Sequence, residues 1–402
     1  MSSTLSTPPE ITVLPSVAPI EAMRLPADLD GSTGSNRARA ESTVIAARND
    51  MQALAAWLAR FADTPTTFSN YRKEAERLLL WSTVELRKPL SSLTHEDLLV
   101  YQRFLADPQP ASRWICPKGR KPGRRDPAWR PFAGPLAPTS RRLALVILNV
   151  LFSWLVNAGY LAGNPLSLSR QRARKAKPRI TRFLDEDLWQ EVKATVAALP
   201  RESKREREHF ARARWVFSLL YGCGLRISEM ATNTMGCFFC RRDGHGEDRW
   251  WLEITGKGDK TRLVPVTNDL ATELIHYRRE YGLPQLPLPG DTMPLVLTLA
   301  GKPKPLTRAA LHSIIKRIFD LAAERVELRG DARAYHQAAR LRQASAHWLR
   351  HTAGSRMADA DMDLRHVRDN LGHESLTTTS VYLHSTDDER HRETELKHRL
   401  GW

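Results

Sequence analysis

The feature that most constrains the fold is a basic segment near the middle of the chain, "SRQRARKAKPRITRF", from Ser169 to Phe183. It contains seven arginine and lysine residues and no acidic residue. Pro178 disfavours a helix through it. Apolar residues at helical spacing lie on both sides, and a chain of 402 residues, 42% of them hydrophobic, is long enough for two cores. Residues 168–183 are therefore predicted to link two domains.

The charge balance indicates the kind of partner. The formal net charge is +16 and the sequence pI is about 10.0. A basic surface of this size attracts a polyanion such as nucleic acid through counterion release. A basic enzyme without a nucleic-acid partner is the alternative that charge alone leaves open. We interpret the linker cations as a strap on DNA: Arg170, Arg172, Arg174, Lys175, Lys177 and Arg179.

Cysteine content and hydropathy bear on the cellular compartment. Four unevenly placed cysteines are too few for a disulfide framework, which indicates a reducing cytoplasm. No apolar run approaches the roughly 20 residues that cross a bilayer, and the N-terminus lacks the features of a secretory signal. We therefore expect a cytoplasmic, nucleoid-associated protein with no membrane partner.

The N-terminal half is predicted to be helical. Residues 1–40 are rich in Ser, Thr, Pro and Gly, which predicts a flexible tail. Apolar spacing over residues 41–167 predicts a helical domain, including a long helix that starts at Thr139 and ends before Gly159. Residues 108–138, dense in Pro, Gly, Arg and Lys, predict a basic loop inserted in this domain.

This basic insertion has two interpretations. Its cations lie beside Trp114, Trp129 and Phe132, a combination that suits contact with a DNA backbone. A basic loop that is merely solvated is an equal alternative. The sequence does not decide between them.

The C-terminal half, residues 184–402, predicts helices around a few short strands. Helices are expected over 185–199 and 206–221, and again from Thr307 onward. Glycine-rich turns separate three predicted strands between these helices. The strands are Cys237–Arg241, Trp250–Thr255 and Thr261–Pro265. The expected fold class is mainly α with a small antiparallel β-sheet.

Two motifs in this half place cations beside sharp turns. "YGCGLRISEM" sets Arg226 after a Gly-Cys-Gly break, where it either pairs with Glu229 or holds a phosphate in its planar fork. "TGKGDKTRLVPV" predicts a tight hairpin with Lys257 between two glycines, and it is not a P-loop. Lys257 is either solvent-exposed or a mobile arm that delivers a proton to a leaving oxygen.

Two later motifs contain histidines. "SAHWLRHTAGSRM" puts His347 and Arg350 on one helical face, as a phosphate clamp or, for His347, as a core histidine. "LGHESLTTTSVYLHS" combines His373 with Tyr382. Tyrosine can attack phosphorus to form a covalent intermediate.

Metal chemistry is not indicated. Cys237, Cys240 and His245 lack a fourth zinc ligand, and we interpret the cysteines as strand residues. No set of acidic residues is arranged for two-metal phosphoryl transfer. The chain therefore lacks the usual means of activating water on a phosphodiester, and the tyrosine remains as nucleophile.

Taken in order, these motifs resemble the catalytic domain of the tyrosine recombinases, the phage integrase family. The resemblance rests on "GLRISE", "GKGDKTRLVPV", "HWLRHTAGSRM" and "LGHESLTTTSVYLH", within residues 205–385. The helices before the linker resemble the family's core-binding domain. The resemblance implies a C-shaped, two-domain clamp on DNA, with the core-binding domain over 41–167 and the catalytic domain over 184–402.

The resemblance also implies a mechanism. Two arginines would hold the non-bridging oxygens of the scissile phosphate while a tyrosine attacks phosphorus and forms a 3′-phosphotyrosyl link. A lysine would protonate the leaving 5′-oxygen, and two histidines would assist. The phosphotyrosine stores the bond energy, so no cofactor, metal or ATP is implied. The catalytic residues would be Arg226, Lys257, His347, Arg350, His373 and Tyr382, with Lys260 and Arg262 binding DNA.

The partner implied is double-stranded DNA with a specific recombination site, bound by a protein that is a monomer in solution and a tetramer on synapsed DNA. An accessory protein or partner recombinase is compatible with this. The basic insertion and the tail favour integration, excision or cointegrate resolution of a mobile element. Two other functions stay open: a topoisomerase-like enzyme that nicks and reseals, and a DNA-binding accessory protein that has lost catalysis.

Overall fold

Helices dominate the structure, a computed structural model that describes residues 16–39, 43–117, 122–169, 182–256, 258–299, 302–360, 362–373 and 379. The chain divides into two units, Met1–Ala173 and Arg174–Trp402, each with its own hydrophobic core. The division falls inside the segment that the sequence marks as a linker.

The N-terminal unit is built of helices around one aromatic-rich core. Thr94 and Asp97 form a reciprocal capping box at the start of one helix, which satisfies backbone N–H groups that the helix leaves unpaired. Gly159, at φ +66°, lets the chain turn away after another. The helices are α1 (Asp50–Ala59), α2 (Pro65–Val84), α3 (His95–Ala106), α4 (Ala111–Trp114) and α5 (Pro138–Asn157).

Helix α5 corrects one expectation from the sequence. By length and composition it is long and apolar enough to cross a membrane, although no apolar run was expected to approach that length. These two criteria do not separate a membrane span from a core helix. One face of α5 is buried in the N-terminal unit, through Ala144, Ile147, Leu148, Leu151, Phe152 and Leu155.

Residues 16–39 are packed against the N-terminal unit, which corrects the predicted extent of the flexible tail. Met23 and Leu29 are buried, and Met23 belongs to the core of the unit. The side chain of Asn36 exchanges two hydrogen bonds with the backbone of Gly163. A few apolar and polar anchors therefore hold a segment whose composition resembles that of a disordered tail.

The basic insertion 108–138 is also packed, as far as the structure describes it. Trp114 and Phe132 are fully buried, and Trp129 is nearly so. The indole of Trp114 donates a hydrogen bond to Glu85 Oε1 at 2.8 Å. These three aromatic side chains belong to the core and are not exposed to a DNA partner, whereas contact through the cations of the insertion stays a prediction.

A buried carboxylate joins the N-terminal segment and the insertion to α2. Glu76 on α2 is 2% exposed. It accepts a hydrogen bond from the backbone N–H of Ile20 at 2.7 Å and another from Arg124 Nη1 at 3.0 Å. Because a buried charge without partners is costly, these contacts favour one arrangement of all three parts.

The C-terminal unit surrounds a three-stranded antiparallel sheet with helices. The strands are β1 (Phe238–Arg242), β2 (Asp248–Thr255) and β3 (Thr261–Val266), in the order β1-β2-β3. This confirms the predicted fold class. The helices are α6 (Glu186–Ala197), α7 (Lys204–Gly222), α8 (Ile227–Thr232), α9 (Asn268–Glu280), α10 (Arg308–Glu327), α11 (Ala332–Gln343), α12 (Ala346–Asp359) and α13 (Leu364–Leu371).

Packing in this unit brings several element ends together. Helix α12 packs on α7, and α13 packs on both α12 and β3. The end of α7, the start of α8 and the end of α13 therefore meet beside β3. Arg226, Arg350 and His373, each from a different sequence motif, all lie at this junction.

Candidate active site

A sharp turn after α7 positions Arg226. The turn depends on Gly224, whose φ of +57° is one that side-chain-bearing residues rarely adopt. A Cβ at this position would also lie 2.5 Å from Cδ2 of Leu371. With glycine there, the chain turns closely past α13 and leaves Arg226 at the N-cap of α8.

The Arg226 side chain is held at two points and remains 40% exposed. Its Nη1 donates to Glu229 Oε1 at 2.8 Å, and its Nη2 donates to the carbonyl of Gly372 at 3.3 Å. The pairing with Glu229 that the sequence suggested is therefore present. It does not bury the guanidinium, which still reaches solvent where an anion can approach.

Glu229 pairs with a second arginine. Nη1 and Nη2 of Arg262 each donate to one Glu229 oxygen at 2.8 Å, and the carboxylate is 1% exposed. Burial by itself raises the pKa of Glu229, but the hydrogen bonds and charge of Arg262, and then those of Arg226, outweigh it and lower the pKa to about 2. Glu229 is therefore ionised throughout the neutral range.

Three consecutive carbonyl groups at the end of α13 accept hydrogen bonds from three arginines. The last carbonyls of a helix have no partner within the helix and carry its negative dipole end, so cations bind well there. The donors are Arg262 to Asn370, Arg350 to Leu371 and Arg226 to Gly372. One helix terminus thus fixes the relative positions of three guanidinium groups.

Arg350 is the most buried of these arginines, at 2% exposed. Besides the Leu371 carbonyl, it donates to the carbonyl of Gly224, on the turn that precedes Arg226. A lysine donates from a single nitrogen and cannot reproduce this planar attachment from two nitrogens. Arg350 therefore ties the turn before α8 to the end of α13.

Histidines lie around the arginines. Burial, followed by the charges of Arg350 and Arg226, lowers the pKa of His373 to about 4. Desolvation, and then the same two arginines, lowers the pKa of the exposed His347 as well. Both imidazoles are consequently neutral at neutral pH. His373 Nδ1 lies 3.1 Å from the hydroxyl of the buried Thr379.

His351 lies one helical turn from His347, with ring centroids 4.2 Å apart. Burial, followed by His347 and Arg350, lowers the pKa of His351 to about 4. A second neutral imidazole thus packs against His347 and restricts its orientation.

The structure brings together Arg226, His347, Arg350 and His373 of the predicted catalytic set. It does not favour the prediction that Arg262 binds DNA, because the Arg262 side chain is 11% exposed and bound to Glu229 and Asn370. Lys260 is exposed. Outside the described residues lie Lys257, Tyr382 and the linker cations Arg170, Arg172, Arg174, Lys175, Lys177 and Arg179.

The strand pattern contains a signal for Arg262 that the sequence motifs did not use. Side chains alternate between the two faces of a strand, so Arg262 shares a face with Val264 and Val266. Both valines are buried in the core. An arginine in register with them has to find an anion inside the protein, and Glu229 supplies it.

The described residues offer no metal site. They contain no group of three or more His, Cys, Asp or Glu side chains placed to hold a metal ion. Cys240 lies in β1, as interpreted, whereas Cys237 ends a short 3-10 turn, Met235–Cys237.

The sequence is similar to a known protein family. A model described as the phage integrase family matches residues 189–389, half of the chain. Tyrosine recombinase XerC of Halalkalibacterium halodurans is 30% identical over 255 residues, covering 62% of this chain and 71% of that protein. Tyrosine recombinase XerD of Corynebacterium glutamicum is 27% identical over 326 residues, covering 80% and 88%.

Solved structures show the same fold. A complex of the XerH site-specific recombinase with palindromic difH substrate aligns with a TM-score of 0.56 at 18% identity, covering 86% of this chain and 84% of that one. The Tn1549 transposon integrase in complex with transposon right end DNA aligns with a TM-score of 0.53 at 17% identity, covering 87% and 99%.

Proposed function

Because the chain belongs to the phage integrase family and is a tyrosine-type site-specific recombinase, we propose that it cleaves and rejoins DNA through a 3′-phosphotyrosyl intermediate on Tyr382. The observation that carries this proposal is the convergence of Arg226 and Arg350 on adjacent carbonyls beside His373. Two preorganised guanidinium groups with neutral imidazoles at their side suit a phosphodiester whose negative charge increases in the transition state.

The proposed step balances in bonds and protons. The phenol oxygen of Tyr382 forms a bond to phosphorus, the bond from phosphorus to the 5′-oxygen breaks, and the phenolic proton passes to a neutral histidine. Lys257 supplies a proton to the departing 5′-oxygen. A neutral His373 or His347 is able to accept a proton or to donate a hydrogen bond to a phosphate oxygen. The reverse step, with a 5′-hydroxyl of the partner strand, rejoins the DNA.

Binding of the substrate would involve both units. We propose that they close around duplex DNA at a specific recombination site, with the linker cations following the backbone. Recombination of two sites requires two strand exchanges, and each exchange cleaves one strand of both duplexes. Four cleavages with one tyrosine each fit a tetramer on synapsed DNA. Charge supports this part of the proposal, since a net charge of +16 favours a polyanionic partner.

For the biological role, we propose integration, excision or cointegrate resolution of a mobile element. The support is the presence of two segments that are not general features of the family, the insertion 108–138 and the segment 16–39. Both segments pack together on α2. The cytoplasmic, nucleoid-associated location stays an expectation that follows from action on DNA.

The test is covalent trapping on a nicked duplex made from the DNA that flanks the gene, in the presence of EDTA. The native protein is expected to form a protein–DNA adduct, and Tyr382→Phe is expected to bind the duplex and form none. Tyr335→Phe is the matched control, because Tyr335 is an exposed tyrosine on α11. An adduct that persists in Tyr382→Phe would show that another residue is the nucleophile.

A further inference from the structure

We propose that Arg262 is a positioning residue that takes up the charge of Glu229, so that Arg226 keeps its positive charge for the scissile phosphate. This inference rests on the proposed function and adds a residue to it. Arg262 itself would touch neither the phosphate nor the reacting oxygens; it would act through Glu229.

The first observation is the unequal exposure of the two arginines that share Glu229. Arg226 is 40% exposed, whereas Arg262 is 11% exposed. Arg262 contacts both carboxylate oxygens, but the Arg226 side chain contacts one. Arg262 is thus the inner counterion of the carboxylate, and Arg226 is the outer cation that an incoming anion meets.

The second observation is the sum of charges. One carboxylate lies between two guanidinium groups, so the cluster of Arg226, Glu229 and Arg262 carries a net charge of +1. If Arg262 were neutral, Glu229 would balance Arg226 alone and the cluster would carry no net charge. Because Glu229 is almost completely buried, solvent screens this difference only weakly.

The third observation is that Arg262 has little freedom to move. Its Nε donates to the Asn370 carbonyl at 3.1 Å, and a Cβ at Gly372 would lie 2.7 Å from Arg262 Cδ. The alternation along β3 directs the side chain inward beside Val264. Arg262 is therefore fixed on Glu229 and cannot swing out to contact DNA without losing these bonds.

The experiment compares Arg262→Gln with Arg262→Lys on two nicked duplexes. One has the natural phosphodiester at the cleavage position, and the other has a methylphosphonate, in which a methyl group replaces a charged non-bridging oxygen. Arg242→Gln is the control, since Arg242 is an exposed arginine of the same sheet. Unfolding curves and DNA affinity are measured for each variant.

On the phosphodiester, Arg262→Gln is expected to slow covalent adduct formation about 10- to 100-fold, less than the 10²–10³-fold typical of removing a direct donor. Arg262→Lys keeps the charge and is expected to lose less. On the methylphosphonate, the gap between Arg262→Gln and the native protein should shrink, because the missing charge no longer matters. An equal gap on both duplexes would indicate a purely structural role and overturn the inference.

A double variant covers the case in which Arg262→Gln folds poorly. In Glu229→Gln/Arg262→Gln the carboxylate is absent, so the charge of Arg226 is no longer cancelled. Adduct formation on the phosphodiester should then exceed that of Arg262→Gln alone; no recovery would count against the inference. If Arg262 instead contacted a DNA phosphate directly, Arg262→Gln would lower the slope of log affinity against log salt by about one unit.

The native protein separates this inference from the proposed function. If it forms no adduct on the phosphodiester, the phosphotyrosyl proposal has failed. If it forms an adduct and the variants behave alike on both duplexes, only the role of Arg262 has failed.

Discussion

At the scale of the residue, the site depends on buried charges whose partners come from distant parts of the sequence. Glu229 on α8 takes one partner from its own helix cap and another from β3. Removing one member of a buried ion pair leaves an uncompensated charge, which costs about 3–5 kcal/mol. The stability of the C-terminal unit should therefore follow the ionisation of this carboxylate.

We predict a specific dependence of stability on acidity. The pKa of Glu229 is lowered from an ordinary 4.5 to about 2. Because the folded state binds the proton more weakly than the unfolded state does, Glu229 stabilises the fold fully above pH 4.5. This contribution is lost as the pH falls through about 2. Denaturant unfolding of the native protein and Glu229→Gln should differ most near neutrality, and the difference should shrink below pH 4.5.

The control for this prediction is Glu253→Gln, since Glu253 is an exposed glutamate on β2. It should leave the acid dependence unchanged. The difference in unfolding free energy between the native protein and Glu229→Gln could also stay constant from pH 6 to pH 3. That result would mean that the two arginines do not lower the pKa of Glu229.

The sequence indicated which residues gather at the site better than it indicated which residues they contact. The order of the motifs brought Arg226, His347, Arg350 and His373 to attention, and the structure places them at one junction. The partners of Arg262 were missed because Glu229 and Asn370 lie 33 and 108 positions away. No local pattern records such contacts, although strand alternation does indicate that Arg262 faces inward.

At the scale of the element, strands and helices bounded by glycine turns were predicted closely. The observed β1, β2 and β3 agree with the predicted strands to within two residues at each end. Alternation of apolar residues and tight turns are local signals, so they suffice for this purpose. The segment 16–39 and the insertion 108–138 were misjudged because their packing depends on contacts with α2, which composition does not reveal.

We predict that deletion of residues 1–39 destabilises the N-terminal unit, although the sequence alone suggests a dispensable tail. Burial of Met23 and Leu29 contributes about 1.5–3 kcal/mol each, so the loss should reach about 3 kcal/mol. Hydrogen exchange of α2 and α5, compared between the truncated and the full-length chain, measures it. Deletion of 1–15 is the control, because it leaves the whole segment 16–39 in the chain. Equal exchange in both truncations would show that the segment adds no stability.

At the scale of the whole molecule, we expect the excess of positive charge to contribute more to DNA affinity than any single contact does. The linker holds six of the predicted DNA-binding cations in a short stretch between the two units. Each phosphate contact releases counterions, so its contribution appears in the salt dependence of binding.

We predict that Arg170→Gln, Arg172→Gln and Arg174→Gln together lower the slope of log affinity against log salt by up to about 2.7, at roughly 0.9 per contact. Binding of duplex DNA over a salt titration measures this. The control replaces three exposed cations of the C-terminal unit, Lys193, Lys204 and Arg325. If both triple variants reduce the slope equally, the linker cations do not contact the DNA backbone and contribute only through the total charge of the protein.

The three successive carbonyls at the end of α13 also determine where the chain tolerates a change in length. Each residue added to a helix rotates everything after it by about 100°, so one insertion within α13 would turn all three acceptors away from their arginines. The turn at 243–247 between β1 and β2 is largely exposed and takes part in none of these three bonds. A fluorophore tag or a natural insertion would therefore be accommodated at that turn, whereas the spacing between Asp363 and His373 is fixed to the residue.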